Sequence, residues 1–258
     1  MPLTIDGQAN SITSSTAGVN IPATVDTLSV GPSGSYMIAN SSGVGIGTLT
    51  PQDKLTVLGK IQIQQNSSSN NRIVLRGQPG SSYRYGIDNN SLSNNFRVFR
   101  EDDVTGANGA VYMNIDSAGR VTTPYQPSFQ AFSSSNTPIG SGTNVLPFNA
   151  TNFNVGSHYN TSTYRFTAPV AGVYLFSVNL NLYTAPGIMM PAVRINGSSA
   201  YYGSRLSGNI SGDNNLNLIV LLSLSVNDYV EALSSAQGSS AYISNGAAWT
   251  RFEGRLLG

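Results

Sequence analysis

The segment GVYLFSVNLNL, residues 172–182, gives the clearest indication of the fold class of this chain. Apolar side chains stand at every second position: Tyr174, Phe176, Val178, Leu180 and Leu182. Polar side chains stand between the later ones: Ser177, Asn179 and Asn181. A period of two places these sets on opposite faces of a β-strand, with one face buried and the other wet or against another subunit. The segment therefore predicts a long strand in a one-sided core.

Two later stretches show the same alternation. Residues 216–224 carry Leu or Val at every second position, and residues 251–256 alternate charged residues with Phe252, Gly254 and Leu256. Gly- and Asn-rich turns separate these strands, and almost no stretch has helical periodicity. We therefore predict an all-β chain that ends in a jelly-roll β-sandwich.

The composition excludes several classes of protein. Charged residues make up 10% of the 258 residues, roughly half to a third of the usual share. The 13 basic residues nearly balance the 12 acidic ones, so we expect no nucleic-acid partner. The longest apolar run, residues 218–222, is too short for membrane insertion, and the N-terminus does not resemble a signal peptide. Without cysteine there are no disulfides, and oligomerisation is the expected source of robustness.

The stretch YRFTAPVAGVYLF, residues 164–176, resembles the signature of the complement globular-head family, which is related to the tumour necrosis factor jelly rolls. The matching positions are Phe166, Ala168, Pro169, Gly172, Tyr174 and Phe176. Further similar pieces follow in the family's order at residues 193–197, 222–230 and 252–256. The chain departs from the family where a Gly-Asp turn becomes Asn227-Asp228, a mild change because Asn tolerates left-handed geometry. It also lacks a preceding collagen-like tract.

A second resemblance is to the shafts of phage tail fibres. It is carried by VGIGTLTPQDKLTVLGKIQI, residues 44–63, and by IDSAGRV, residues 115–121, before a Pro-Tyr-Gln-Pro join at 124–127. Both families are built around a threefold axis. Together they imply a homotrimer located on a virion, as a tail or surface appendage.

The two prolines of the 124–127 join mark a domain boundary, because they stiffen the link and prevent regular pairing there. We predict an N-terminal attachment segment at 1–40, a β-rich shaft at 41–123 and a jelly-roll head at 124–258. The resemblances imply a tail fibre whose N-terminal part binds a virion tail or capsid protein. The head would recognise a host cell-surface glycan or protein. Two alternatives stay open: a capsid or tail decoration protein without receptor binding, and a fibre-borne polysaccharide depolymerase.

Candidate receptor-binding residues lie in loops rich in Tyr, Asn, Ser and Gly, at 183–191, 196–204 and 207–215. Aromatic area combined with adaptable hydrogen bonding suits a binding surface, although polar hairpin ends have the same composition. The predicted residues are Tyr183, Tyr201, Tyr202, Asn209 and Asp213.

No arrangement of residues supports catalysis or a cofactor, so we predict no enzyme activity. Acid–base chemistry needs two carboxyl groups at a defined separation, and the cluster Glu101-Asp102-Asp103 is interpreted as a solvated loop. The single histidine, His158, is predicted to serve a turn or a subunit contact. Asp213-Asn214-Asn215 and Asp228 could supply oxygen ligands to calcium, but turn chemistry explains them equally well, and we predict no metal.

Overall fold

A computed structural model of the protein describes residues 28–30, 37–39, 44–46, 54–58, 60–61, 63, 71–76, 83–90, 93–102, 109–185, 187–198, 200–238 and 241–258. All the regular elements among them are β-strands, which confirms the all-β prediction. No helix in this part of the chain could cross a membrane. The chain forms two compact units, residues 1–67 and 68–258. The domain boundaries predicted at 40 and 123 stay predictions.

The first unit contains a four-stranded sheet in chain order. Its strands are β1 (Leu28–Val30), β2 (Met37–Ala39), β3 (Val44–Ile46) and β4 (Leu55–Val57). The pair β3–β4 is parallel, and the other pairs are antiparallel. Apolar Ile46 and Leu55 are exposed in the single chain.

The second unit begins with a five-stranded antiparallel sheet, also in chain order. Its strands are β5 (Asn71–Arg76), β6 (Tyr83–Asn90), β7 (Asn95–Asp102), β8 (Ala110–Ile115) and β9 (Val121–Thr122). One face carries exposed apolar side chains: Ile73, Leu75, Tyr85, Ile87 and Phe96. An uncovered apolar face of this kind is costly in water.

The opposite face of this sheet carries ion pairs. Arg97 donates to both carboxylate oxygens of Asp88 at 2.9 and 2.8 Å, and Arg84 Nε donates to Glu101 Oε1 at 2.7 Å. Both carboxylates are almost completely buried. The prediction of a solvated loop is therefore wrong for Glu101, which lies in β7, while Asp103 lies outside the described residues. Arg84 on β6 is the register partner of Glu101 on β7, so their side chains lie on the same face of the sheet. The ion pair between them allows the carboxylate to be buried.

The remaining strands form the jelly-roll head. They are β10 (Ser128–Phe132), β11 (Thr137–Ile139), β12 (Gly142–Val145), β13 (Ala150–Val155), β14 (Tyr159–Asn160), β15 (Arg165–Thr167), β16 (Gly172–Ala185), β17 (Ile188–Ile195), β18 (Ala200–Tyr202), β19 (Leu206–Ser207), β20 (Ile210–Leu224), β21 (Tyr229–Gln237), β22 (Ala241–Ile243) and β23 (Arg251–Leu256). One seven-stranded sheet has the order β11-β22-β16-β23-β10-β13, with β20 paired to β16. The other has the order β14-β15-β21-β17-β18, with β12 on β21 and β19 on β17.

The core between these sheets is centred on stacked aromatic rings. Phe129 lies 4.8 Å from Tyr159 and 5.1 Å from Phe166, both nearly parallel, and meets the edge of Phe252 at 5.0 Å. Offset stacking and edge-to-face contacts are the favourable arrangements of aromatic quadrupoles. Gly254 completes the fit, since a Cβ there would lie 2.6 Å from the ring of Phe129. This close approach explains a glycine within the strand pattern of residues 251–256.

The turn between β20 and β21 adopts the backbone geometry expected from the sequence. Asn227 has φ of +70°, which confirms that asparagine takes the left-handed position of the Gly-Asp turn. Its N–H donates to the carbonyl of Ala168 at 2.8 Å, and the Asp228 carboxylate accepts from the N–H of Ser225 at 2.8 Å. The turn thereby ties the signature segment 164–176 to the start of β21.

Candidate functional site: a polar cleft in the head

A β-bulge in β16 presents the first residue of the site. Opposite β22, Leu182 pairs with Ile243 and Thr184 pairs with the adjacent Tyr242, so Tyr183 is an extra residue in β16. A bulge bends its strand and redirects a side chain. Tyr183 is half exposed as a result, and its ring lies 6.1 Å from that of Tyr242 on β22. The neighbouring ring limits how far the Tyr183 side chain can turn.

Tyr183 borders a cleft of about 390 Å³ at this end of the sheet. The cleft is lined by Asn136, Asn181, Tyr183, Asp213, Ser244, Asn245 and Trp249. Trp249, the single tryptophan of the chain, is 54% exposed. Five polar and two aromatic side chains thus line a concave surface within the size range of small-molecule sites.

The buried side-chain amide of Asn181 forms the floor of the cleft. Ser244 Oγ donates to Asn181 Oδ1 at 2.7 Å, and Asn181 Nδ2 donates to Asn215 Oδ1 at 3.2 Å. The backbone N–H of Asn181 donates to Thr250 Oγ1 at 3.2 Å. Because Asn181 is almost completely buried, these partners are needed to satisfy it, and they fix its orientation.

The segment that carries Trp249 is anchored by its backbone. The N–H groups of Trp249 and Thr250 both donate to the Gly246 carbonyl at 3.0 Å, and the N–H of Gly246 donates to the Ser133 carbonyl at 2.9 Å. The N–H of Asn245 donates to Asn136 Oδ1 at 2.9 Å. These bonds join the β22–β23 connection to the segment after β10, so the two sides of the cleft are held together.

The cleft carries one formal charge among its lining residues, the carboxylate of Asp213. Arg251 follows the cleft segment in sequence, but its guanidinium donates to the carbonyls of Ala247 and Ala248 at 3.4 and 3.3 Å and pairs with Glu253 at 3.1 Å. The cleft therefore favours an uncharged or cationic ligand over an anion.

The structure brings together two of the five predicted binding residues. Tyr183 and Asp213 share the cleft, whereas Tyr201 and Tyr202 are exposed on β18 of the other sheet. Asn209 is exposed just before β20 and does not line the cleft. The binding role of all five stays a prediction. Sequence reasoning missed Trp249, whose signal was a lone tryptophan within the stretch of small residues at 244–250.

The other candidate residues from the sequence, His158 and Asp228, make contacts within turns of the head. His158 follows the turn at 156–157 and packs against Gly156, and burial lowers the pKa of its imidazole. Asp228 accepts a hydrogen bond from Asn196 Nδ2 at 2.8 Å as well as the one from Ser225, and these bonds lower the pKa of its carboxyl. In the part of the chain that the structure describes, no three His, Asp or Glu side chains come together as metal ligands.

The two sheets and their aromatic core define the head as a jelly-roll domain. The chain belongs to the C1q domain family, whose sequence model matches residues 128–257. The first resemblance found in the sequence is thereby confirmed for this range.

Several solved structures are similar to the head. The globular domain of zebrafish complement 1qA protein has 17% identity and a TM-score of 0.42, covering 52% of this chain and 98% of that one. Eiger TNF from S. frugiperda has 11% identity and a TM-score of 0.43, covering 52% and 93%. Murine APRIL has 13% identity and a TM-score of 0.41, covering 51% and 99%. No curated protein matches the chain.

Proposed function

We propose that this chain is a homotrimeric appendage protein of a virus particle, a tail fibre whose heads recognise a receptor on the host surface. The observation that carries the proposal is an apolar patch on the head, around Leu175, Ile219 and Leu221 on the side of the β16 sheet away from the core. A single chain leaves this face open to water, and two further copies would cover it. The fold alone does not select a function, so the argument depends on this surface.

The outer face combines exposed aliphatic and aromatic side chains. Ile219 and Leu221 on β20 are 73% and 59% exposed, and Leu221 is the register partner of Leu175 on β16. A hollow of about 310 Å³ lies beside Leu175, and its lining includes Phe153 and Gly254 as well as the charged Glu253 and Arg255. Full burial of one such side chain is worth about 1.5–3 kcal/mol. Covering the face by symmetry-related copies would therefore stabilise the assembly substantially.

The apolar face of the five-stranded sheet supports the same assembly. Its exposed residues, of which Leu75 and Tyr85 are examples, alternate with the buried ion pairs of the other face. A sheet in a single chain would normally bury its apolar residues and expose its charged ones. Here the apolar face is the exposed one, which is expected if that face meets the other copies around a common axis.

The location on a virion rests on the sequence similarity of residues 44–63 and 115–121 to tail-fibre shafts. A virion tail or capsid protein would hold the N-terminal part, and three heads would present repeated weak contacts to a host glycan or protein. Avidity from three linked sites can exceed the affinity of one by orders of magnitude.

Replacing Leu221 by glutamate is expected to dissociate the trimer, because three carboxylates would be forced into the apolar interface. Sedimentation should give three times the 27.1 kDa chain mass for the wild type and one chain mass for the variant at micromolar concentration. Val226→Glu, at an exposed position in the β20–β21 turn, is the matched control and should stay trimeric. A well-folded monomeric wild type would refute the trimer.

Replacing Tyr201 and Tyr202 together by alanine is expected to reduce the binding of the trimer to host cells without unfolding it. Both side chains are exposed, so little core packing is lost. Cell binding is measured with fluorescently labelled trimer, and the fold is monitored by circular dichroism. Undiminished binding would show that these two residues take no part in recognition.

Antibody-gold labelling of intact particles tests the location. Labels at the tips of a tail or vertex appendage are expected for a fibre. Labels spread over the shell would instead identify a decoration protein and contradict the proposal.

A further inference from the structure

We infer that the cleft bordered by Tyr183, Asp213 and Trp249 binds an uncharged sugar, a neutral pyranose at the end of a host glycan. The inference rests on the proposed recognition function and names the class of ligand and the residues that would hold it. Three features of the cleft lead to it: two exposed aromatic side chains, a fixed polar floor, and the sign of its charge.

The aromatic side chains supply apolar surface for the ring of a sugar. A pyranose has one face of C–H groups and a rim of hydroxyls, so it needs both an apolar contact and hydrogen-bonding partners. Trp249 exposes more than half of its surface, although tryptophan is usually well buried in a folded protein. Its indole is carried on a segment whose backbone is hydrogen-bonded at Gly246. The ring of Tyr242 restricts the side chain of Tyr183. The aromatic surfaces of Trp249 and Tyr183 can therefore bind a sugar at a small cost in conformational entropy.

The polar groups supply the partners for hydroxyls. Each carboxylate oxygen of Asp213 can accept hydrogen bonds, and amide side chains such as Asn136 both donate and accept. The floor amide, Asn181, is already oriented by Ser244 and Asn215. A hydroxyl-rich ligand would therefore meet groups that need little rearrangement, which favours affinity.

The charge of the cleft separates neutral sugars from acidic ones. Among the described residues that line it, the cleft has Asp213 as its charged residue and no Lys or Arg, so it would repel the carboxylate of sialic or uronic acids and the charge of sulfated or phosphorylated sugars. Its volume of about 390 Å³ is at the lower end of the range for ligand sites. A terminal mono- or disaccharide fits this description better than a long chain.

The single tryptophan provides a direct measurement on the intact trimer. Methyl glycosides of galactose, glucose, mannose and N-acetylglucosamine are titrated while Trp249 fluorescence is recorded, with N-acetylneuraminic acid and glucuronic acid as acidic probes. At least one neutral glycoside should change the emission saturably, with a dissociation constant in the millimolar range, and the acidic probes should bind about tenfold more weakly or worse. Emission that no neutral glycoside changes would overturn the inference.

Variants then locate the sugar by calorimetry or saturation-transfer NMR, which do not depend on fluorescence. Trp249→Ala and Asp213→Asn should each weaken the glycoside about tenfold or more, while Trp249→Phe keeps part of the affinity. Tyr125→Ala, at an exposed aromatic side chain that does not line the cleft, is the matched control and should leave the affinity unchanged. Unaltered affinity in both cleft variants would place the sugar elsewhere and reject the site.

The two proposals fail differently. A trimer that binds host cells, while no neutral glycoside competes with the cells or alters Trp249 emission, overturns the sugar and leaves the proposed function standing. A trimer that binds a neutral glycoside in the cleft but no host cell overturns the recognition function and leaves the sugar site standing.

Discussion

Replacing Phe129 by alanine is expected to lower the free energy of unfolding of the head by about 4 kcal/mol. The ring is 1% exposed and makes close contacts with Tyr159, Phe166 and Phe252. Truncation removes its apolar burial and leaves a cavity that the two sheets cannot close, because the strands on each side are held by ladder hydrogen bonds. The loss is measured by denaturant unfolding followed by circular dichroism.

The control for this variant is Val226→Ala, which removes an aliphatic side chain from an exposed turn. It is expected to change the free energy of unfolding by less than about 0.5 kcal/mol. Both variants are compared with the wild type at equal protein concentration, because an oligomer's apparent stability depends on concentration. A loss below about 1 kcal/mol for Phe129→Ala would contradict the aromatic core described here.

Replacing Glu231 by glutamine is expected to cost about 3 kcal/mol of unfolding free energy. The carboxylate is 2% exposed and accepts from Arg165 Nε at 2.8 Å and from Arg194 Nε at 2.6 Å. Glutamine keeps the shape but removes the counter-charge of two arginines. The estimate is at the low end for a buried pair because both guanidinium groups retain solvent contact. The matched control is Asp213→Asn, which removes an exposed carboxylate and should leave the free energy of unfolding unchanged.

The same site predicts how stability depends on pH. Burial alone would raise the pKa of Glu231, but the hydrogen bonds and charges of Arg165 and Arg194 outweigh it and lower the pKa below 4.5. The stabilisation is therefore present above the unfolded pKa and is lost as the pH falls through the folded pKa. Unfolding midpoints measured from pH 6 down to pH 2 should fall less for Glu231→Gln than for the wild type. If the midpoints of the variant and the wild type fell by the same amount, the Glu231 carboxylate would not contribute to the pH dependence of stability.

The strand pattern of the head could be predicted because it is local. The stretch at 172–182 forms most of β16, the stretch at 216–224 lies within β20, and the stretch at 251–256 coincides with β23. Alternation of apolar and polar residues needs no knowledge of distant partners. The same holds for Asn227, whose left-handed backbone follows from the chemistry of asparagine in a turn.

Burial of charge could not be predicted in this way. Glu101 belongs to an acidic run that would normally be solvated, and its burial follows from Arg84, which stands opposite it across the β6–β7 pair. Whether a carboxylate is exposed depends on the register of a neighbouring strand. That register is set by the whole sheet and is not visible in the run itself.

Short-range patterns were enough to predict the all-β class, the jelly-roll head and the family to which residues 128–257 belong, because period-two alternation and the signature at 164–176 act over short distances. The shared cleft of Asn136, Asp213 and Trp249 became visible in the folded structure alone. They come from three separate connections and strand ends, and the pairing of β16 with β20 and β22 brings those ends together. A binding site made by long-range pairing has no continuous pattern along the chain.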